Sequence, residues 1–191
     1  MKILCFGDSN TYGYDPRSYF GGRYPEQHRW VDLLSREIGC TMVNAGENGC
    51  EIPWTEWELS RFKEMLNSHR PVGVLIIMLG TNDLLQGNSI ETVVNRMERF
   101  LENIQPEMEM ILLIAPPKMQ LGEWVSTQHM IDSSVELSLG YRRLCNRLDV
   151  PFVDATEWNV TLTFDGVHFS EEGHRAFAEG LANYLKEIEI C

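Results

Sequence analysis

The sequence is short of positive charge: 28 acidic residues against 16 basic ones leave a formal net charge of −12. A field of that sign repels phosphate backbones and anionic headgroups alike, so neither nucleic acid nor a membrane surface is expected as a partner. Cysteine is sparse. Cys5, Cys40, Cys50, Cys145 and Cys191 are odd in number and widely spaced, and the absence of any C-x-x-C pair argues against zinc or dithiol chemistry. A reduced, cytoplasmic setting is the expectation, and with strand-like residues from Lys2 onward no secretory leader is expected. No apolar run approaches the length of a membrane span. No G-x-G-x-x-G opens the first helix and no Walker lysine follows a glycine loop, which disfavours dinucleotide and P-loop nucleotide sites. Repeats and low-complexity stretches are missing too. No metal or organic cofactor is expected.

What is present is enough chain, 191 residues, for one sizeable core, and a single domain over 1–191 is expected. Short apolar runs rich in β-branched residues recur at Ile3 to Phe6, Met42-Val43, Val72 to Leu79, Met110 to Ala115 and Pro151 to Val153. Between them lie stretches of helical period. The clearest sets Ile90, Val93, Val94, Met97, Leu101 and Ile104 on one stripe. Others run through Leu137, Tyr141, Leu144, Cys145 and Leu148, and through Phe177, Leu181, Tyr184, Leu185 and Ile188. Shorter ones lie near Trp30 to Ile38 and Trp54 to Leu66. Five strands alternating with five helices predict an α/β fold: a three-layer α/β/α sandwich around a parallel sheet. The irregular segments at about 10 to 28 and 116 to 130 are long enough to be functional.

In open parallel sheets, ligands bind beyond the carboxyl ends of the strands, and reactive residue types fall there repeatedly. Ser9 comes directly after the first strand as a candidate nucleophile, although a lone serine more commonly caps a helix or sits in a turn. After the second strand, Gly49 could offer its N–H to an oxyanion, with Gly46 as the weaker competitor and an ordinary loop role open to both. After the third strand, the Asn82 amide could donate to the same oxygen, and the alternative for Asn82 and Asp83 is an Asx-turn or a helix start. After the fifth strand, Asp165 and His168 supply an orienting carboxylate and a base. A serine hydroxyl needs both at neutral pH. His28, His69, His129 and His174 read as structural.

The blocks Gly7-Asp8-Ser9-Asn10, Gly49, Gly80-Thr81-Asn82-Asp83 and Asp165-Gly166-Val167-His168 resemble, in order, the signature blocks of the SGNH/GDSL hydrolases. The resemblance implies a flavodoxin-like sheet of order 2-1-3-4-5 and a shallow, solvent-accessible site. It implies catalysis by Ser9, His168 and Asp165, with Ser9, Gly49 and Asn82 around the oxyanion. Asn10 departs from it, standing where the family name has leucine. The run Ser9 to Gly13 followed by Arg29-Trp30 looks like the bacterial arylesterase branch, and the nucleophile-elbow pattern of the larger α/β-hydrolases is lacking around Ser9. The expected activity is hydrolysis of small carboxylic esters, short-acyl or acetylated-carbohydrate, through an acyl-enzyme. Lysophospholipase, thioesterase or acyl-transfer activity on the same groups is the alternative, and a non-catalytic flavodoxin-like binding module stands in a different class. Trp54, Trp57, Trp124 and Trp158 are candidates for an aromatic wall, with ordinary packing as the competing role of each.

Overall fold

The computed structural model describes residues 1–20 and 22–190. The first strand, β1 (Lys2–Gly7), is apolar on both sides: Ile3 and Cys5 are buried in one core cluster, Leu4 and Phe6 in another. A strand of that kind is stable only inside a sheet covered on both faces. It lies between β2 (Thr41–Gly46) and β3 (Val74–Met78), with β4 (Met110–Ala115) and β5 (Phe152–Asp154) beyond β3. All pairings are parallel and the order is β2-β1-β3-β4-β5, as expected.

Seven α-helices accompany the sheet among the described residues: α1 (Ser9–Tyr12), α2 (Trp30–Ile38), α3 (Glu56–His69), α4 (Thr81–Leu85), α5 (Ile90–Ile104), α6 (Gln128–Leu148) and α7 (Glu171–Glu187). The apolar stripes of α3, α5 and α6 cover the Leu4/Phe6 face, where Phe62 packs edge-on against both Phe6 and Phe100. Those of α2 and α7 cover the Ile3/Cys5 face through Trp30, Leu34, Phe177 and Leu181. The sandwich therefore has three layers. Side-chain oxygens fix where the helices start, from Thr55 in a reciprocal capping box with Glu58, from Ser89 and from Ser170.

Helix number and one boundary differ from the sequence reading. The extra helices, α1 and α4, are single turns directly after strands, too short to show a period. The longest, α6, begins at Gln128 rather than near Leu137, because its first turns bury only Ile131 and Ser134 and present polar residues elsewhere. Those turns have a use. The Ser134 hydroxyl donates to the Ile131 carbonyl and accepts from the Met119 N–H at 3.1 Å, anchoring the loop after β4. Cys5, Cys50 and Cys145 are free. No described helix is long and apolar enough to cross a membrane.

Candidate active site

The nucleophile candidate is presented by a sharp strand-to-helix junction. Asp8, buried at the end of β1, accepts the Asn10 N–H at 2.9 Å and caps α1, and Gly13 closes that helix after one turn in the left-handed region. Ser9 thereby stands in the first turn, at the carboxyl end of the interior strand β1, where its own N–H has no intrahelical acceptor.

His168 arrives from the other end of the chain. In its loop, one carboxylate oxygen of Asp165 accepts from the Thr163 hydroxyl and from the Val167 and His168 N–H groups, at 2.9–3.0 Å. The second oxygen lies 2.7 Å from His168 Nδ1, and the opposite ring nitrogen, Nε2, lies 2.9 Å from Ser9 Oγ. Burial alone would raise the Asp165 carboxyl, but the hydrogen bonds from the His168 ring and the two N–H groups outweigh it and hold it at about 2. An ionised Asp165 keeps a proton on Nδ1, which leaves Nε2 free to accept from the serine hydroxyl. His174 does not compete for this role: burial first, with the charge of Arg29 adding, holds it down at about 3.

On the other flank, the loops after β2 and β3 meet. Cys50 N–H closes a turn on the Glu47 carbonyl at 3.1 Å, with Gly49 at the position requiring positive φ, here +72°. A β-carbon on Gly49 would meet nothing within 4 Å, so its main chain is open to an approaching group. Gly46 differs. Its N–H is already given to Asn44 Oδ1 at 3.0 Å and it presses against the Tyr12 main chain. Asn82, in α4, donates through Nδ2 to the Cys50 carbonyl at 3.0 Å, and the amide has a second N–H to offer. For Asp83 the sequence offered only an Asx-turn or a helix start. Fully buried, it accepts from the Ile52 N–H at 3.1 Å and from Arg96 at 2.8 Å, so α4 grips the Gly49 loop at both Cys50 and Ile52. Burial raises the Asp83 carboxyl against the pull of Arg96, and burial pushes Asp8 up to about 6, opposed by the Asn10 N–H and the proximity of His168.

Two aromatic rings enclose the imidazole. Trp124 meets it edge-on at 4.9 Å and Tyr14 lies 4.8 Å from it. Ser9, Asp165 and His168 are 7%, 1% and 2% exposed. Tyr14 escaped the sequence reading, for which only its nearness to Ser9 was a signal. Trp124 is placed by hydrogen bonds between two loops, in which the Gln120, Glu123 and Trp124 N–H groups donate to the carbonyls of Gly166, Phe164 and Asp165 at 3.0–3.1 Å. Gly122 allows that approach, since a β-carbon there would lie 2.5 Å from Gly166 N and 2.6 Å from the Asp165 oxygen. Of the other tryptophans, Trp54 and Trp57 stack under Arg96 and Arg61. Trp158 packs on Phe177 and Gly180 in the Ile3/Cys5 core, which corrects its candidacy for the wall. No cluster of three or more metal-ligating side chains occurs among the described residues.

The sequence model of the GDSL-like lipase/acylhydrolase family matches residues 5–176. The chain belongs to that family. It is a carboxylic ester hydrolase. The hydrolase is 26% identical to the isoamyl acetate-hydrolyzing esterase of Saccharomyces cerevisiae, over 98% of this chain and 86% of the yeast protein. A carbohydrate acetylesterase family member from Sinorhizobium meliloti superposes with a TM-score of 0.84 at 25% identity, over 97% of both chains. The M. smegmatis aryl esterase shares the fold, with a TM-score of 0.85 at 24% identity over 97% of this chain and 98% of that one.

Proposed function

We propose that the whole chain acts as one serine esterase domain that hydrolyses small esters, above all acetates, through an acyl-enzyme on Ser9. The continuous contact from Ser9 Oγ through the His168 ring to Asp165 carries this reading. His168 Nε2 takes the hydroxyl proton as Oγ attacks the ester carbon, and Asp165 stabilises the imidazolium without itself accepting the proton. The oxyanion is held by the N–H groups of Ser9 and Gly49 and by the free N–H of Asn82. His168 then returns its proton to the leaving alcohol. A water activated by the same ring next releases the acid. The names of two relatives, one acting on isoamyl acetate and one a carbohydrate acetylesterase family member, favour an acetyl group. The leaving alcohol lies beside His168, so its substituent meets Trp124 and Tyr14, which suits an alcohol with an apolar or ring face.

A fluorophosphonate probe tests the reading directly. The wild-type protein is expected to form one covalent adduct, mapped to Ser9 by peptide mass, and Ser9→Ala to remain folded, unlabelled and slower by roughly three to six orders of magnitude. Undiminished ester hydrolysis by folded Ser9→Ala, or labelling elsewhere, would overturn it.

A further inference from the structure

Asn10 follows Ser9 in α1, in place of the family's leucine, and is almost wholly buried, at 4% exposure. Both ends of its amide are engaged by the loop that carries His168. Nδ2 donates to the Val167 carbonyl at 3.1 Å and Oδ1 accepts from the Phe169 N–H at 2.9 Å. The amide thus pairs with the main chain on either side of His168, much as one strand pairs with another. Asn10 is itself fixed, its N–H donating to Asp8 at 2.9 Å and its carbonyl accepting from Trp30 Nε1 at 3.0 Å. A leucine could fill the same space and make neither side-chain bond.

We propose that Asn10 is a positioning residue that sets the separation of Ser9 Oγ and His168 Nε2; this rests on Ser9 and His168 being the reacting pair. Asp165 orients the imidazole within its own loop, through Nδ1 and the His168 N–H. That leaves open where the loop lies relative to α1. Asn10 supplies this second constraint through the neighbours of His168. Proton transfer needs hydrogen-bond contact, and a displacement of about 1 Å costs on the order of 10² in rate. Asn10 touches no reacting atom, so its loss acts on kcat and spares KM.

The test compares N10L, which removes both bonds at nearly constant volume, with N10D, which keeps the acceptor for Phe169 and loses the donor to Val167. Both are assayed below their melting temperatures on a p-nitrophenyl acetate series and by fluorophosphonate labelling. N10L is expected to lose roughly 10- to 100-fold in kcat, with KM within about twofold, and to label more slowly in the same proportion. Its Phe169 amide should exchange faster with solvent. N10D should lose less and keep Phe169 protected, and its retained bond keeps the test alive should N10L fail to fold. A packing role gives the opposite order, leucine tolerated and the buried carboxylate not, and that order overturns the proposal. So does N10L with kcat and labelling rate within twofold of wild type. A wild-type protein that fails to label at Ser9 overturns the esterase reading and the positioning role with it, whereas a labelled wild type with a flat variant series overturns the role of Asn10 alone.

Discussion

In the proposed mechanism Asn82 divides its amide between two tasks, one N–H holding the Cys50 carbonyl and the other offered to the substrate oxygen. Because charge develops on that oxygen mainly in the transition state, Asn82→Ala should lower kcat by about 10²–10³ and leave KM nearly unchanged. A variant with intact kcat and raised KM would assign Asn82 to ground-state binding instead. Two other residues near the site pull on stability in opposite directions. Asp165, held at about 2, favours the folded state at any pH above the ordinary aspartate range, and that contribution, on the order of 2 kcal/mol, is lost as pH falls from about 4 towards 2. Asp8, raised to about 6, binds its proton more tightly in the folded state than in the unfolded chain. Its favourable contribution is present below about 4 and is lost as pH rises to about 6. Urea denaturation midpoints should therefore climb between pH 2 and 4 through Asp165. Between pH 4 and 6, where Asp8 pulls the wild-type profile down, the Asp8→Asn profile should have the more positive slope, because that opposing contribution is gone. Identical wild-type and Asp8→Asn profiles in that upper window would refute the assignment to Asp8.

At the scale of elements, the loop after β4 and the loop carrying Asp165 are laid against each other by three main-chain hydrogen bonds, with Gly122 at one of the points of closest approach. Gly122→Ala sets a β-carbon against main-chain atoms that cannot swing aside. It should cost about 1–3 kcal/mol in denaturation and reduce kcat as Asp165 and Trp124 are pushed outward, while Gly39→Ala, whose β-carbon meets nothing within 4 Å, strains only its own backbone. A Gly122→Ala enzyme with wild-type kcat and stability would show that the loops part without consequence. This contact also marks where sequence reading stops. Strand positions, and the sheet order that the signature blocks implied, were legible because apolar runs and helical stripes repeat locally. That Ser9, Asp165 and His168 would meet was legible because each follows a strand with a residue type of narrow chemical use. Trp124 was one of four tryptophans offered for an aromatic wall, and neither Tyr14 nor the grip of Asp83 on Ile52 was singled out, since each acquires its role from a loop brought alongside by the fold. The two single-turn helices were hidden for a simpler reason: four or five residues cannot display a period of 3.6.

For the molecule as a whole, the net charge of −12 surrounds a site that has Asp8, Asp83 and Asp165 in or beside it. Neutral esters are indifferent to that field. An ester with a carboxylate in its acyl or alcohol part should show a lower kcat/KM than its neutral isostere at low salt, and the gap should narrow as ionic strength approaches 0.5 M, where the Debye length falls to roughly 4 Å. An equal salt response for the two would mean that the field does not reach the approaching substrate. The contact between Ser9 and His168 spans 159 positions, with four of the five strands, β2 to β5, laid down between them. A ribosome-bound chain can thus bury β1 early and still be chemically silent until its last loop has emerged and docked. Covalent labelling of stalled chains of graded length would then turn on abruptly rather than grow, making the serine a reporter of the docked His168 loop.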